Sequence, residues 1–515
     1  MKKTIMNTKY IWLILILLGF AACNEPEDVL ADYNALPEIV EELPELSAGS
    51  VNFSNYVALG ASFTAGFTDN ALFIAAQENS FPNILSKAFA KIGGGAFTQP
   101  LMNDNFGGLA VGGSRILAPR FVFGGAGPVP LESVIGPVTV STDLLSNPTG
   151  PFKNLGVPGA KSFHLLANGY GNLANFPAAA NPYAVRLTGS TPNASMLELA
   201  MAQSPTFFTL SEIGGNDVLG YATSGGDGSN TITATPTFDF AFTTLVTTLT
   251  SGGAKGVVTN VPYITDLPHF TTVPHNPIPL DAATAGFLNS ASAYGAYNAG
   301  IVQAFAFLVA NTPMTQEMAD AEIAKRTITF AAIPNNAVVI MDESLTDLTA
   351  LNPALISMRQ ATSADLFVLT SSSFIGTEAV PGNPQTVNGV AIPLADKWVL
   401  TPEEQAEIKT ATDAYNATIS SVAGANPNVV LVDLNAILQD ATVNGVVFDD
   451  YTLQTSLVTG GLVSLDGIHL TARGYAYMAN KFLEAIDTAF GTNFEVSGNM
   501  AKAGDYPTNY SPLLQ

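Results

Sequence analysis

The apolar positions of this chain fall into short unbroken runs separated by longer mixed stretches. The clearest runs are 55–60 (NYVALG), 206–211 (TFFTLS), 256–261 (GVVTNV) and 428–433 (NVVLVD), with a weaker one at 152–156. Runs of this length that do not alternate with polar residues predict strands buried on both faces, the pattern of a parallel sheet covered by helices. Helical patterns lie between them. The best formed is 401–421, where Thr401 stands as N-cap, Pro402 occupies the first turn, and Glu403 and Glu404 favour the positive end of the helix dipole. A second apolar stretch, 284–310, also predicts helix. Strands alternating with helices predict an α/β fold. Long Gly-, Pro-, Ser- and Thr-rich segments interrupt the alternation at 93–150, 221–238 and 312–395. They predict surface loops and small subdomains around one core, and loops of that length are commonly functional.

The N-terminus follows another rule. Lys2, Lys3 and Lys9 precede an apolar run from Ile11 to Ala22, which ends at Cys23, the chain's 1 cysteine. The run is too short to span a bilayer and predicts a signal peptide over 1–22. Ala21 and Ala22 before Cys23 resemble a bacterial lipoprotein signal, which implies acylation at Cys23 and export to the outer membrane, with ordinary secretion as the alternative. With a single cysteine, no intrachain disulfide can form. Residues 24–46 hold eight acids and no Lys or Arg, so 23–50 predicts a solvated tether, and acids directly after such a cysteine resemble surface-export signals.

Charge narrows the partners. Setting 1–22 aside leaves 16 basic against 42 acidic side chains, a net −26. Such a chain repels phosphate backbones, which excludes nucleic acid as a partner.

Four polar stretches stand at strand ends. Gly60-Ala61-Ser62-Phe63-Thr64-Ala65-Gly66 follows the first run, and a serine in such a turn is either a helix cap or an exposed nucleophile beside backbone N–H donors. Asn154-Leu155-Gly156-Val157-Pro158-Gly159 follows the weak run, where Gly159 either makes a plain turn or lets a ligand oxygen approach its N–H. Ile213-Gly214-Gly215-Asn216-Asp217 follows the third, with Asn216 either forming an Asx-turn or aiming its amide at an oxyanion. The last is Ser464-Leu465-Asp466-Gly467-Ile468-His469-Leu470-Thr471. Of the 4 histidines, His164, His269, His275 and His469, only His469 has a carboxylate at three-residue spacing within a compact polar turn. That spacing lets Asp466 hold one ring nitrogen while the other stays free for a hydroxyl. His164, close to Gly159, reads as structural or substrate-contacting.

Taken together, the four stretches resemble the SGNH (GDSL) serine hydrolase family, whose blocks carry Ser, Gly, Gly-x-Asn-Asp and Asp-x-x-His in this order. The resemblance covers about half of the chain after the signal. It implies a three-layer α/β/α, flavodoxin-like core of about five parallel strands within 51–490, with insertions at about 93–150, 221–238 and 265–395 and a C-terminal tail over 491–515. It implies Ser62 as nucleophile, His469 as general base and Asp466 as its orienting acid. The oxyanion hole would be formed by the Ser62 N–H, the Gly159 N–H and the Asn216 side chain. Gly256 to Pro262 with Asp266 looks similar to the family's remaining block. One position departs: the family has Asp before the serine, where this chain has Ala61, so hydrogen bonding around the turn is expected to differ. The implied activity is hydrolysis of carboxylic esters, of lipids or of acylated glycans, the latter as an O-acetyl esterase. A member of another class, a surface lipoprotein that binds glycan or lipid without turnover, is the alternative. No zinc spacing, EF-hand or P-loop pattern occurs, so no metal or cofactor is expected, and the acid pairs at Asp217 and Asp449-Asp450 read as turns.

Overall fold

The computed structural model describes residues 42–514. The signal peptide, Cys23 and the tether up to residue 41 lie outside the described residues. The described strands and helices all lie in the compact unit that begins at Leu46.

In chain order the main elements are β1 (Tyr56–Gly60), α1 (Ser62–Ala65), α2 (Phe81–Ala90), β2 (Asn154–Gly156), α3 (Met196–Met201), β3 (Phe207–Ser211), α4 (Gly215–Thr223), α5 (Thr235–Thr250), β4 (Lys255–Thr259), α6 (Ala282–Leu288), α7 (Tyr294–Asn311), α8 (Gln316–Arg326), α9 (Pro402–Gly424), β5 (Val429–Val432), α10 (Leu434–Val443) and α11 (Ala472–Phe490). The five strands form one parallel sheet in the order β2-β1-β3-β4-β5. β1 and β3 are buried at every position, as the unbroken apolar runs require. Successive side chains point to opposite faces. Phe207 packs with Phe89 of α2 and with Phe53, ring centroids 5.4 and 5.0 Å apart. On the other side α3, α5 and α9 pack together, with Phe238 stacked on Tyr415 at 4.2 Å. The segment after α11 folds back over the first face, where Phe494 meets Phe53 at 6.0 Å.

β4 ends two residues earlier than its apolar run. Asn260 keeps a long N–H contact to Val432 O at 3.4 Å while its Nδ2 donates to Asp433 Oδ1 at 2.6 Å, and Val261 leaves the ladder as its N–H donates to Asn416 Oδ1 at 2.8 Å. The expected helix over 284–310 is two helices, α6 and α7, broken at 289–293. The Asn289 side chain donates to Phe330 O at 2.7 Å and accepts from the Phe330 N–H at 2.9 Å. That pairing anchors the end of α6 to a distant segment, while the backbone turns locally, the Ser290 N–H donating to Phe287 O and the Gly295 N–H to Ser290 O, each at 3.0 Å.

The 265–395 insertion has its own apolar core, centred on Ile301, Phe305, Val339, Ile340 and Leu394. A buried guanidinium ties part of it together: Arg359 bridges Asp342 and Asp365, the latter at 2.6 Å. Trp398 packs against both this core and that of the sheet domain. The 93–150 insertion carries two short antiparallel pairs, Leu109–Val111 with Ser114–Leu117 and Phe121–Phe123 with Pro128–Pro130.

Candidate active site

The strand order reverses between β1 and its two neighbours, and in open parallel sheets such a switch point leaves a crevice beyond the carboxyl ends of the strands. Register decides what stands there. Gly60 pairs with Gly156 on one side and with Ser211 on the other, so the segments leaving β1, β2 and β3 emerge side by side. These are the segments that carry Ser62, Gly159 and Asn216.

Ser62 opens α1 and is 7% exposed. The residue in the cap position is Ala61, which makes no side-chain cap, so the serine hydroxyl is not consumed in capping. Its one side-chain partner among the described residues is Glu212, with Oγ to Oε1 at 3.5 Å. Beside it the Val157 N–H donates to Gly60 O at 3.0 Å. Gly156 sits so close to α1 that a Cβ there would lie 2.3 Å from Ala65 N. Gly159 follows at φ +79°, a backbone conformation that favours glycine. Among the described residues, neither the Ser62 nor the Gly159 amide donates to a protein acceptor. Asn216 lies in the first turn of α4, and its Nδ2 donates to Ala160 O at 3.0 Å. That bond fixes the amide and leaves its second N–H unused.

His469 precedes α11 in a loop organised by Asp466. The Asp466 Oδ2 atom lies 2.8 Å from His469 Nδ1 and accepts from the Asn70 N–H at 2.9 Å. Its Oδ1 accepts from the Ile468 and His469 N–H groups at 2.8 Å and from Ser464 Oγ at 3.1 Å. Burial opposes ionisation of Asp466, but the imidazole beside it and these donors outweigh burial and hold its carboxyl far below the usual range. Nδ1 then carries the proton and Nε2 remains an acceptor. The ring rests against Phe67 and Phe63, centroids 4.6 and 5.9 Å away.

This loop is stitched to the chain just after the serine. The Thr68 hydroxyl donates to Leu470 O at 2.8 Å, the Asp69 N–H to Ser464 Oγ at 3.1 Å and the Leu465 N–H to Asp69 Oδ1 at 3.1 Å. The Tyr475 hydroxyl donates to Phe67 O at 2.6 Å. Residues 395 apart in sequence are thereby neighbours, and all four polar stretches converge. The serine hydroxyl is turned toward Glu212 in this arrangement, and no hydrogen bond joins Ser62 to His469.

Glu212 is the site residue that pattern reading passed over. It follows β3 at φ +55° and is 8% exposed. Both its carboxyl oxygens lie 2.8 Å from the Phe63 N–H, so hydrogen bonding at the serine turn comes from β3 where Ala61 supplies none. Burial dominates its surroundings and pushes its pKa well above the ordinary value, against the opposing effect of these bonds. The available signal was an acid ending a buried strand, a place where unpaired carboxylates are rare.

His164 and His269 have partners of their own. His164 Nδ1 accepts from the Lys161 N–H at 3.1 Å, its ring stacks on Tyr170 at 4.5 Å, and burial lowers its pKa to about 4. His269 braces the catalytic-type loop, its N–H donating to Gly467 O at 3.0 Å. Asp217 accepts from the Ser162 N–H and hydroxyl, both at 2.8 Å, and ties α4 to the segment after Gly159.

A pocket of about 100 Å³ opens beside Ser62, Glu212 and Asn216. Its walls are apolar, formed by Leu219, Ile264, Leu267, Leu438, Ile468 and Met478 among others. No helix among the described residues is long and apolar enough to cross a membrane. Comparison with family models, curated proteins and solved structures yields no match.

Proposed function

We propose that this chain is a serine esterase of the SGNH type, acting on carboxylic esters through an acyl-enzyme. The observation that carries the reading is the convergence, on one crevice, of a non-capping serine, two unpaired backbone amides, a fixed Asn amide and a carboxylate-held imidazole. In this mechanism the Ser62 hydroxyl leaves Glu212 and turns to His469 Nε2. A separation of 3.5 Å is too long to resist that turn strongly, and catalytic hydrogen bonds commonly tighten only when substrate is bound. His469 takes the hydroxyl proton as Oγ attacks the ester carbonyl, while Asp466 holds the ring and stabilises the imidazolium. The Ser62 and Gly159 N–H groups and the Asn216 amide receive the oxyanion. His469 then protonates the leaving alcohol, and water repeats the sequence on the acyl-enzyme.

The apolar pocket favours an alkyl acyl group over acetyl. An acetyl group leaves such walls exposed to water, whereas each methylene buried there contributes about 0.8 kcal/mol. This supports a lipid or other acyl ester as substrate ahead of an acetylated glycan, and it gives a binding-only protein no reason to keep the polar cluster. On this reading the protein is an exported lipoprotein anchored to the outer membrane through Cys23. The test is a panel of p-nitrophenyl esters from acetate to decanoate with wild type and Ser62→Ala. Wild type is expected to gain kcat/KM with chain length beyond acetate. Ser62→Ala should lose turnover and fluorophosphonate labelling while its circular dichroism is unchanged. Labelled, active Ser62→Ala would remove the nucleophile assignment, and a preference for acetate would restore the glycan esterase.

A further inference from the structure

Away from the serine crevice, three acids meet where the 265–395 insertion rejoins the sheet domain. Glu343 follows the strand Val339–Met341, Asp396 follows the insertion's last turn, and Glu404 lies in the first turn of α9. One carboxylate oxygen from each lies within 4.8 Å of the others. Asp227 and Asp342 add to the negative potential at Asp396. Among the described residues no cation forms an ion pair with the three acids: Arg359 bridges Asp342 and Asp365, and Lys397, with Nζ 5.1 Å from the centre of the Trp398 ring, acts on Asp227.

Glu404 supplies an independent observation. It is 3% exposed. Its Oε2 accepts from the Thr401 N–H and hydroxyl at 2.7 and 2.9 Å, completing the capping box of α9. Its Oε1 is fully enclosed and has no hydrogen-bond partner, and the same is true of Asp396 Oδ1. The capping box therefore accounts for one oxygen and leaves the other unexplained. Buried polar atoms without a partner are uncommon, and two in one anionic cluster point to a missing positive ligand. The turn at Gly225 and Gly226 closes over the cluster at positive φ, and a Cβ at 226 would overlap Glu404 Oε1.

We propose that Glu343, Asp396 and Glu404 bind a divalent cation, calcium by the size and hardness of the ligand set, and that the ion pins the insertion to the sheet domain. Calcium–oxygen distances of about 2.3–2.6 Å let one ion reach oxygens spread over the observed span, with water and backbone oxygens completing six to eight ligands. The three ligands are contributed by separate segments, so the ion ties the insertion to the sheet domain close to Trp398, which packs against both cores.

The test is thermal unfolding and titration calorimetry of the EDTA-treated protein, which needs no enzyme activity and stands apart from the esterase reading. Calcium chloride is expected to bind saturably, one ion per chain, and to raise Tm by about 3 °C at a hundredfold excess over Kd. Glu404→Gln keeps the capping acceptor but removes the charge. It should unfold no earlier than wild type in EDTA and lose the calcium response. Should Glu404→Gln not fold, Glu343→Gln, at an exposed position, takes its place and is expected to weaken binding at least tenfold. A wild type indifferent to calcium, or substituted proteins that respond as wild type does, would overturn the site. A larger response to magnesium would overturn the choice of ion.

Discussion

Asp466→Asn is the sharpest probe of the crevice. The carboxylate accepts five hydrogen bonds, from His469 Nδ1, the amides of Asn70, Ile468 and His469, and Ser464 Oγ. An amide offers one oxygen and one NH2 group, so it cannot satisfy both sides. If its oxygen keeps the Ile468 and His469 amides, its NH2 faces the Asn70 N–H and His469 Nδ1. The imidazole must then accept at Nδ1 and carry its proton on Nε2, where it cannot receive the serine proton. Loss of the Asn70 hydrogen bond to a charged acceptor, worth about 1.5–3 kcal/mol, with exchange of the His469 bond for a neutral one, predicts about 2–4 kcal/mol of destabilisation. The wrong tautomer predicts a fall in kcat of about 10⁴. The assay is p-nitrophenyl butyrate hydrolysis at saturating substrate, alongside Tm and circular dichroism, so that a folded, inactive protein is distinguished from an unfolded one. A folded Asp466→Asn protein turning over at the wild-type rate refutes the assignment of both Asp466 and His469.

Asn216→Ala should lower kcat by about 10²–10³ with little change in KM, because the amide acts on the oxyanion and not on the ground state; an unchanged kcat takes Asn216 out of the hole. Burial pushes the Glu212 pKa well above the ordinary carboxyl value and so disfavours its charged form, and Glu212→Gln, of similar shape, should retain most activity. Glu212→Ala, which strips the buried Phe63 N–H of its acceptor, should cost about 1–3 kcal/mol in denaturant unfolding. Inactivity of a folded Glu212→Gln protein would show instead that an ionised carboxyl takes part. Burial, the leading cause in each case, pushes the pKa of Asp69 and of Asp396 up to about 7 and that of Glu404 up to about 8. Their folded pKa values exceed the unfolded value of about 4, so the stability they contribute is complete below about pH 4 and is lost as pH rises through 7 to 8. Asp466, shifted the other way, contributes above about pH 4 and loses its effect only in acid. In EDTA, Tm should therefore fall between about pH 4 and about pH 8; a flat or rising profile in scanning fluorimetry would contradict this.

Much of the frame was legible in the chain because its signals are local. Runs such as 206–211 state in six residues that a segment is buried on both faces, and β3 forms there. Thr401, Pro402 and Glu404 encode the start of α9 within one turn, and their capping box forms. Asp466 and His469 are paired by three-residue spacing, so their 2.8 Å contact needs no long-range information. Other features depended on what stood opposite. The turn between α6 and α7 is anchored where the Asn289 side chain meets Phe330, a partner that helical periodicity cannot reveal. Glu212 acquires meaning only when the register of β1 with β3 sets it beneath the Phe63 amide. The acids at 343, 396 and 404 show no ligand spacing, and packing of the insertion alone brings them together. Periodicity, capping and short-range pairing are fixed by neighbours along the chain. Register and the docking of distant loops are fixed by the burial of surfaces whose complements lie hundreds of residues away, and those decided where the chemistry stands.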